Sequence, residues 1–303
     1  VVGAVLQQLI RAGEVAREEI IAVSKIGYVQ GQNLAQAKTR EKSGKPYPDM
    51  VKYGDDIWHC VHPEFLADQL TLSLDRLGLA TLDVCLLHNP EYFLSHATRL
   101  GAGEQRELST LRDEFYARLQ LAFEYCERQV EAGRLRGYGV SSNTSTASPD
   151  EPGATSLSRM IEAAKAAAKN VGAAAHHFTV LQCPMNVHES GAALIKNTGP
   201  DDGSTLLDEA LREGVAVLVN RPLNAMPAQR GGVVRLADVP VPAPEADFET
   251  QRQKVALLEE EYRKDLAPAV AHSGQGMLPA DFFRWADELN RIRTQVQGLE
   301  HWE

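Results

Sequence analysis

The sequence predicts an α/β fold on a parallel sheet, an incomplete (β/α)8 TIM barrel with about five of its eight strands present. Two observations predict it. Helical patterns and short apolar runs alternate along the chain, which implies parallel strands joined by right-handed helical crossovers. Each of the five apolar runs also ends in a polar residue or cluster: Lys25, His88, Ser142-Asn143, Gln182 and Asn220-Arg221. The carboxyl ends of successive strands are where such barrels place their chemistry.

The elements follow in order. A first helix reads to about Ala12, with Gly13 to end it. The first strand, about 20–26, carries Lys25 near its carboxyl end. An isolated buried ammonium is costly, so Lys25 either reaches the rim or is paired. The stretch 28–61 is polar and rich in Lys, Gly, Gln and Pro. It reads as a long structureless loop over the barrel mouth, a functional lid. Pro63 and Glu64 then open a helix with Leu66, Leu70, Leu74 and Leu77 on one face, closed by Gly78. The organising strand is Leu82-Asp83-Val84-Cys85-Leu86-Leu87-His88. Its unbroken apolar run marks burial on both faces, and Pro90, which has no N–H, ends it.

The third unit opens on a capping-box pattern, Thr110-x-x-Asp113. Phe115, Leu119, Phe123, Cys126 and Val130 line its helix up to Gly133, and a strand at 135–141 follows. An Ala-rich helix at about 155–169 precedes a strand at 178–183. A helix at 205–213, closed by Gly214, precedes a strand at 215–220. Beyond Pro222 a Pro/Gly/Val loop at about 229–244 leads to helices at about 248–266 and 279–297, with no clear strand. Residues 1–303 read as a single barrel domain with a helical extension from about 245. Five strands do not close an eight-stranded barrel. The opening has neither Met nor a cap and the close has no stop signal, so a piece of a longer protein is expected.

Composition bounds the function. Hydrophobic content of 44% and charged content of 24% describe an ordinary globular chain. A net charge of -10 argues against a nucleic-acid surface, though a local cation cluster still suits an anionic cofactor. Cys60, Cys85, Cys126 and Cys183 show no paired spacing, which fits a reducing, cytoplasmic compartment. Neither a membrane-length apolar run nor a signal peptide is visible. His59-Cys60-Val61-His62 has zinc-like residue types without a second ligand pair, so no metal is expected, and His62 reads as the position before a helix. His176-His177 reads as a solvated turn, and Glu259-Glu260-Glu261 as a solvated helix face.

Five pieces in order, "IIAVSKIG", "RLGLATLDVCLLHNPEYFL", "GRLRGYGVSSNT", "LQCPMN" and "VNRPLNA", resemble the aldo/keto reductases over about residues 1–225. The likeness is to the branch with sugar and galactose dehydrogenase-like members. The resemblance implies an oxidoreductase that uses NADP or NAD on a small-molecule carbonyl or alcohol. Of the family's catalytic Asp, Tyr, Lys and His, Lys25 matches the lysine and His88 the histidine. The Asp and Tyr would lie before the first helix, outside this sequence. Ser142, Asn143 and Gln182 match the residues that hold the nicotinamide carboxamide. Where many members stack a Tyr on the nicotinamide, this chain has Asn220, followed by Arg221 and Leu223.

The chemistry is consistent with those roles. Hydride delivered to a carbonyl carbon leaves an alkoxide that needs a positioned proton donor. A phenol becomes a workable acid near neutrality when a cation stabilises its phenolate, the role of Lys25, while His88 orients the carbonyl oxygen. Two other readings stand beside this one: a non-catalytic cofactor-binding or regulatory barrel subunit, and an inactive fragment lacking the Tyr and Asp.

Overall fold

Because the strand order in the sheet follows the order in the sequence, right-handed crossovers place every connecting helix on the same face. That relation organises the computed structural model, which describes residues 2–100, 107–226, 233–236, 247–268 and 283–292. The chain divides into two compact units, Val2–Ala237 and Asp238–Glu303 with Val1.

In the larger unit α1 (Val2–Arg11) precedes β1 (Val23–Ile26), and β2 (Tyr28–Val29), α2 (Gly31–Lys42) and β3 (Trp58–His59) follow. Next come α3 (Pro63–Leu77), β4 (Leu82–His88), α4 (Tyr92–Leu100), α5 (Leu108–Glu131) and β5 (Leu135–Ser141). The unit continues through α6 (Leu157–Val171), β6 (Phe178–Pro184), α7 (Gly191–Leu194), β7 (Lys196–Thr198), β8 (Ser204–Thr205), α8 (Leu206–Glu213) and β9 (Ala216–Asn220). Two short strands close it, β10 (Asn224–Ala225) and β11 (Val234–Arg235).

The sheet order is β1-β4-β5-β6-β9, parallel at every step. It is open rather than closed. Its edge strands show the consequence: Val23 on β1 is 40% exposed, and Leu218 and Val219 on β9 are 36% and 44% exposed. The five predicted strands are all present, each behind a helix, as parallel βα units require. The first begins at Val23 rather than near residue 20.

Alternation along each strand separates two faces. Cys85, Leu87, Tyr138, Val140, Leu181 and Cys183 pack with Phe115, Leu119, Phe123, Met160 and Ala164 of the helices into one core. Val84, Leu86 and Val180 form a separate small cluster on the opposite, inner face. Gly139 also sits there, and a Cβ on it would come within 1.7 Å of the Val180 carbonyl. Only glycine lets β5 and β6 approach so closely, and the register shifts between Tyr138 and Gly139.

Helix ends follow their sequence signals with one exception. His62 caps α3, its Nδ1 accepting from the Glu64 N–H at 3.3 Å, and Gly78 closes it with φ 66°. Thr205 caps α8 by accepting from the Asp208 N–H at 3.2 Å. The expected capping box at Thr110 is not formed: α5 starts one turn earlier at Leu108, behind Glu107. Helix α4, unforeseen, forms immediately after the His88-Asn89-Pro90 turn.

The expected structureless lid at 28–61 is instead built. Tyr28 and Val29 pair antiparallel with His59 and Trp58, and α2 lies between them. That helix was hidden because its apolar contribution is narrow, with only Leu34 and Ala37 buried. Among the described residues, the tail expected to lack strands carries a two-residue pairing, Asn224-Ala225 with Arg235-Val234. The remainder of the expected 229–244 loop lies outside the described residues.

In the second unit α9 (Phe248–Glu261) is capped by Asp247, which accepts from the Thr250 N–H at 2.9 Å, and runs into a π-turn at Tyr262–Leu266. Helix α10 (Trp285–Ile292) starts later than the predicted 279, and residues 279–282 and 293–297 lie outside the described set. Glu259 is not solvated as expected. It is buried, and its Oε1 accepts from the Trp285 N–H and, at 3.2 Å, from the Ala286 N–H. A carboxylate at a helix N-terminus satisfies amides that have no partner within the helix.

Candidate active site

The carboxyl ends of the strands bring polar groups together on the inner face. Register places Lys25 beside Leu86, His88 beside Ser141, and Ser141 beside Gln182. The Lys25 ammonium donates to Ser141 Oγ at 3.2 Å and to Gln182 Oε1, and the Ser141 hydroxyl donates to Gln182 Oε1 at 3.0 Å. No carboxylate ion-pairs with Lys25 among the described residues. Its partners are neutral, and burial lowers its pKa. The sequence left Lys25 as either rim-seeking or paired, and it is paired across the face.

His88 ends β4 half-buried. Burial first, then the Lys25 charge, push its pKa down to about 4. The imidazole is therefore neutral at physiological pH and offers one N–H to a substrate oxygen. Its ring meets the Tyr28 ring edge to face at 4.6 Å, and Tyr28 meets Tyr92 at 5.2 Å. The Tyr28 hydroxyl accepts from Asn89 Nδ2 at 2.7 Å. Burial raises the Tyr28 pKa well above the ordinary phenol value, so this phenol is a poor acid.

Sequence reasoning missed His59, which supports His88 from behind. It is buried, its Nε2 lies 2.7 Å from the His88 carbonyl oxygen, and burial pushes its pKa down to about 4. A neutral ring donating from Nε2 satisfies that carbonyl. Gly27 makes room: a Cβ there would lie 2.5 Å from the His88 carbonyl and 2.7 Å from His59 Nε2. A glycine following the Lys25 strand was the available signal.

The remaining predicted residues divide. Asn143 is exposed, and no hydrogen bond involves its side chain among the described residues. Ser142 is buried and turned into its loop, where Oγ accepts from the Thr144 N–H at 3.1 Å and lies 3.3 Å from Thr155 Oγ1. Ser141, one residue earlier, is the serine on the inner face. Asn220 is half-buried, and its Oδ1 is buried without a partner. Arg221, with φ 56°, pairs with Glu189 at 2.7 Å, and Leu223 is 60% exposed. Asn186 Nδ2 donates to Glu189 Oε2 and to the Arg221 carbonyl, so this loop is tied by its own ion pair.

His176-His177 is not a solvated turn. Glu127 of α5, fully buried, accepts from the Tyr138 hydroxyl, the His177 N–H and His177 Nδ1, each at 2.7 Å. This network lies on the helical face, away from the Lys25 cluster.

The site thus offers an ammonium, a neutral imidazole, amides and a hydroxyl on one open face. No helix of the described residues is long and apolar enough to cross a membrane. No family model and no curated protein matches the chain. Solved structures similar to it include aldo-keto reductases. One from the silkworm Bombyx mori is 16% identical, with 86% of this chain and 56% of that one covered and a TM-score of 0.39. A second silkworm enzyme, in complex with NADP, is 16% identical over 87% of this chain and 57% of that one, with a TM-score of 0.37. A holo form from Bacillus halodurans is 15% identical over 86% and 59%, with a TM-score of 0.39. The chain spans between 56% and 59% of the length of these structures.

Proposed function

We propose that the protein exchanges hydride between NADP(H) and a small carbonyl compound or its alcohol, as a reductase of the sugar-dehydrogenase-like kind. The observation that carries this reading is the placement of Lys25 and His88 at the carboxyl ends of adjacent parallel strands, on one face with Ser141 and Gln182. The cofactor, when bound, supplies the hydride.

The residues present fit such a cofactor. A carboxamide carries both a donor and an acceptor. The free Asn143 side chain and the unpartnered buried Oδ1 of Asn220 offer complementary groups on either side of Gln182. The side chain of Gln182 is oriented by the Ser141 hydroxyl as well as by Lys25, since both donors meet the amide oxygen and leave Nε2 to donate. Ser142, Arg221 and Leu223 are weaker candidates: one hydroxyl is committed to its loop, one guanidinium to Glu189, and one side chain faces solvent.

Neutral His88 donates to the carbonyl oxygen and polarises it before hydride arrives. Lys25, carrying no carboxylate partner, is free to stabilise a phenolate brought against it. Tyr28 does not fill the phenol's place, because its hydroxyl is engaged by Asn89 and its pKa is raised. No described residue is placed as the proton donor that the resemblance implies. The test is carbonyl-dependent oxidation of NADPH by the protein. Lys25→Met should lower turnover at least 100-fold with cofactor affinity nearly kept. NADPH binding without turnover on any carbonyl would favour the non-catalytic cofactor-binding reading. No binding at all would remove the proposal.

A further inference from the structure

Glu91 is the most buried carboxyl group near the candidate site, and none of the roles above uses it. It is 4% exposed, and no cation ion-pairs with it among the described residues. Burying an unpaired carboxylate is expensive, so its neighbours need explaining. Its Oε1 accepts from the Asn143 N–H at 2.7 Å, while Oε2 is buried without a hydrogen bond. Burial raises its pKa to about 7, with the Asn143 and Thr144 amides and the Ser142 hydroxyl pulling the other way.

The sequence explains why a side chain is needed there. The β4–β5 ladder ends where the Asn89 N–H donates to the Ser141 carbonyl at 2.7 Å. Asn89 has φ 50°, and Pro90 has no N–H, so the chain turns away and the ladder cannot continue. The Ser142 N–H is taken by the Gln182 carbonyl at 2.9 Å. The Asn143 N–H would have no strand partner, and the Glu91 carboxylate supplies one. One side chain thereby ties the loop after His88 to the loop carrying Asn143.

We propose that Glu91 is a positioning residue for Asn143, holding its backbone so that the exposed side-chain amide is pre-set to meet the nicotinamide carboxamide. This rests on the cofactor reading above. Fixing the backbone beforehand lowers the ordering cost of binding at that end of the cofactor and leaves the phosphate end unaffected.

The test compares binding of NADPH with that of 2′-phospho-ADP-ribose, which lacks the nicotinamide, by calorimetry on the whole protein. Glu91→Met keeps the volume and loses the acceptor; it should weaken NADPH about tenfold and leave the fragment within twofold. Glu91→Gln keeps an acceptor oxygen and should bind NADPH as the wild type does. Asn143→Ala should match Glu91→Met. If Asn143→Ala weakens NADPH and Glu91→Met does not, Glu91 has no positioning role and the cofactor reading survives. Equal weakening of NADPH and fragment by Glu91→Met would mark a merely structural group and overturn the proposal. If neither variant moves NADPH affinity, or the wild type binds no NADPH, the carboxamide reading falls with it. Hydrogen exchange on the unaltered protein gives a check that needs no variant. The Asn143 amide should be protected before any cofactor is added, and protection arising only with NADPH would refute the role.

Discussion

The Lys25 ammonium on the first strand of the sheet meets the side-chain oxygen of Gln182 on the fourth, passing over the two strands between them. On the second of these, β5, Gly139 has no side chain, and Ser141 joins the contact rather than blocking it. The lysine's charge is therefore held on the inner face by neutral partners, and it acts on the neighbouring His88.

The first prediction follows from that action. Lys25 lowers the His88 pKa, second to burial. Lys25→Met should raise the His88 pKa from about 4 while leaving it below the model-peptide value near 6.5, since burial remains. NMR titration of the His88 ring carbons measures this directly. An unchanged value would mean that the ammonium does not face the imidazole.

His59 should make the fold acid-sensitive. Its folded pKa of about 4 lies below its unfolded value, so the unfolded chain binds more protons between those two limits. Stability falls as pH drops from about 6.5 to 4, by roughly 3 kcal/mol for this group. Urea midpoints across that range should decline steeply in the wild type and less in His59→Gln. Parallel declines would show that His59 is not the group responsible.

Glu91 has the opposite sign. Its folded pKa of about 7 is raised above the unfolded value near 4.5, so the folded chain binds more protons between them. Its contribution is fully present at low pH and is lost as pH rises to 7 and beyond. Glu91→Gln should gain on the wild type by roughly 3 kcal/mol between pH 4.5 and 8. Equal stability of the two proteins at every pH would contradict the burial.

Glu127 should matter to stability and not to the site. Glu127→Ala leaves the Tyr138 hydroxyl and the His177 N–H without their acceptor, a loss of about 3–5 kcal/mol for a broken buried network. Glu127→Gln retains one acceptor oxygen and should cost less, about 1–2 kcal/mol. Thermal melting reads both. A near-neutral Glu127→Ala would show that the network contributes little.

Much of this was legible in the sequence because it depends on local pattern. The apolar run 82–88 could only be a buried strand, and the leucines of 63–77 a one-sided helix. Periodicity places Lys25, His88 and Gln182 at the ends of strands, and strand ends share one edge in a parallel sheet. It does not give the phase of the last turn. Whether Leu181 or Gln182 faces inward depends on the β5–β6 register shift, where Phe178 and Val180 pair with the successive residues Tyr138 and Gly139, and Gly139 permits it by its close approach to Val180.

Other features were illegible for the same kind of reason. Glu127 with His177, Glu91 with Asn143, His59 with His88, and Glu259 with the start of α10 are contacts between residues 26 to 52 positions apart. Each member alone reads as an ordinary polar residue. The sequence by itself determined the strands, their direction and the edge that carries the chemistry, because hydrophobic periodicity and chain chirality act locally. Only the tertiary structure decided which polar groups are buried and against what, because the cost of burying a charge or an amide depends on neighbours that packing alone brings together.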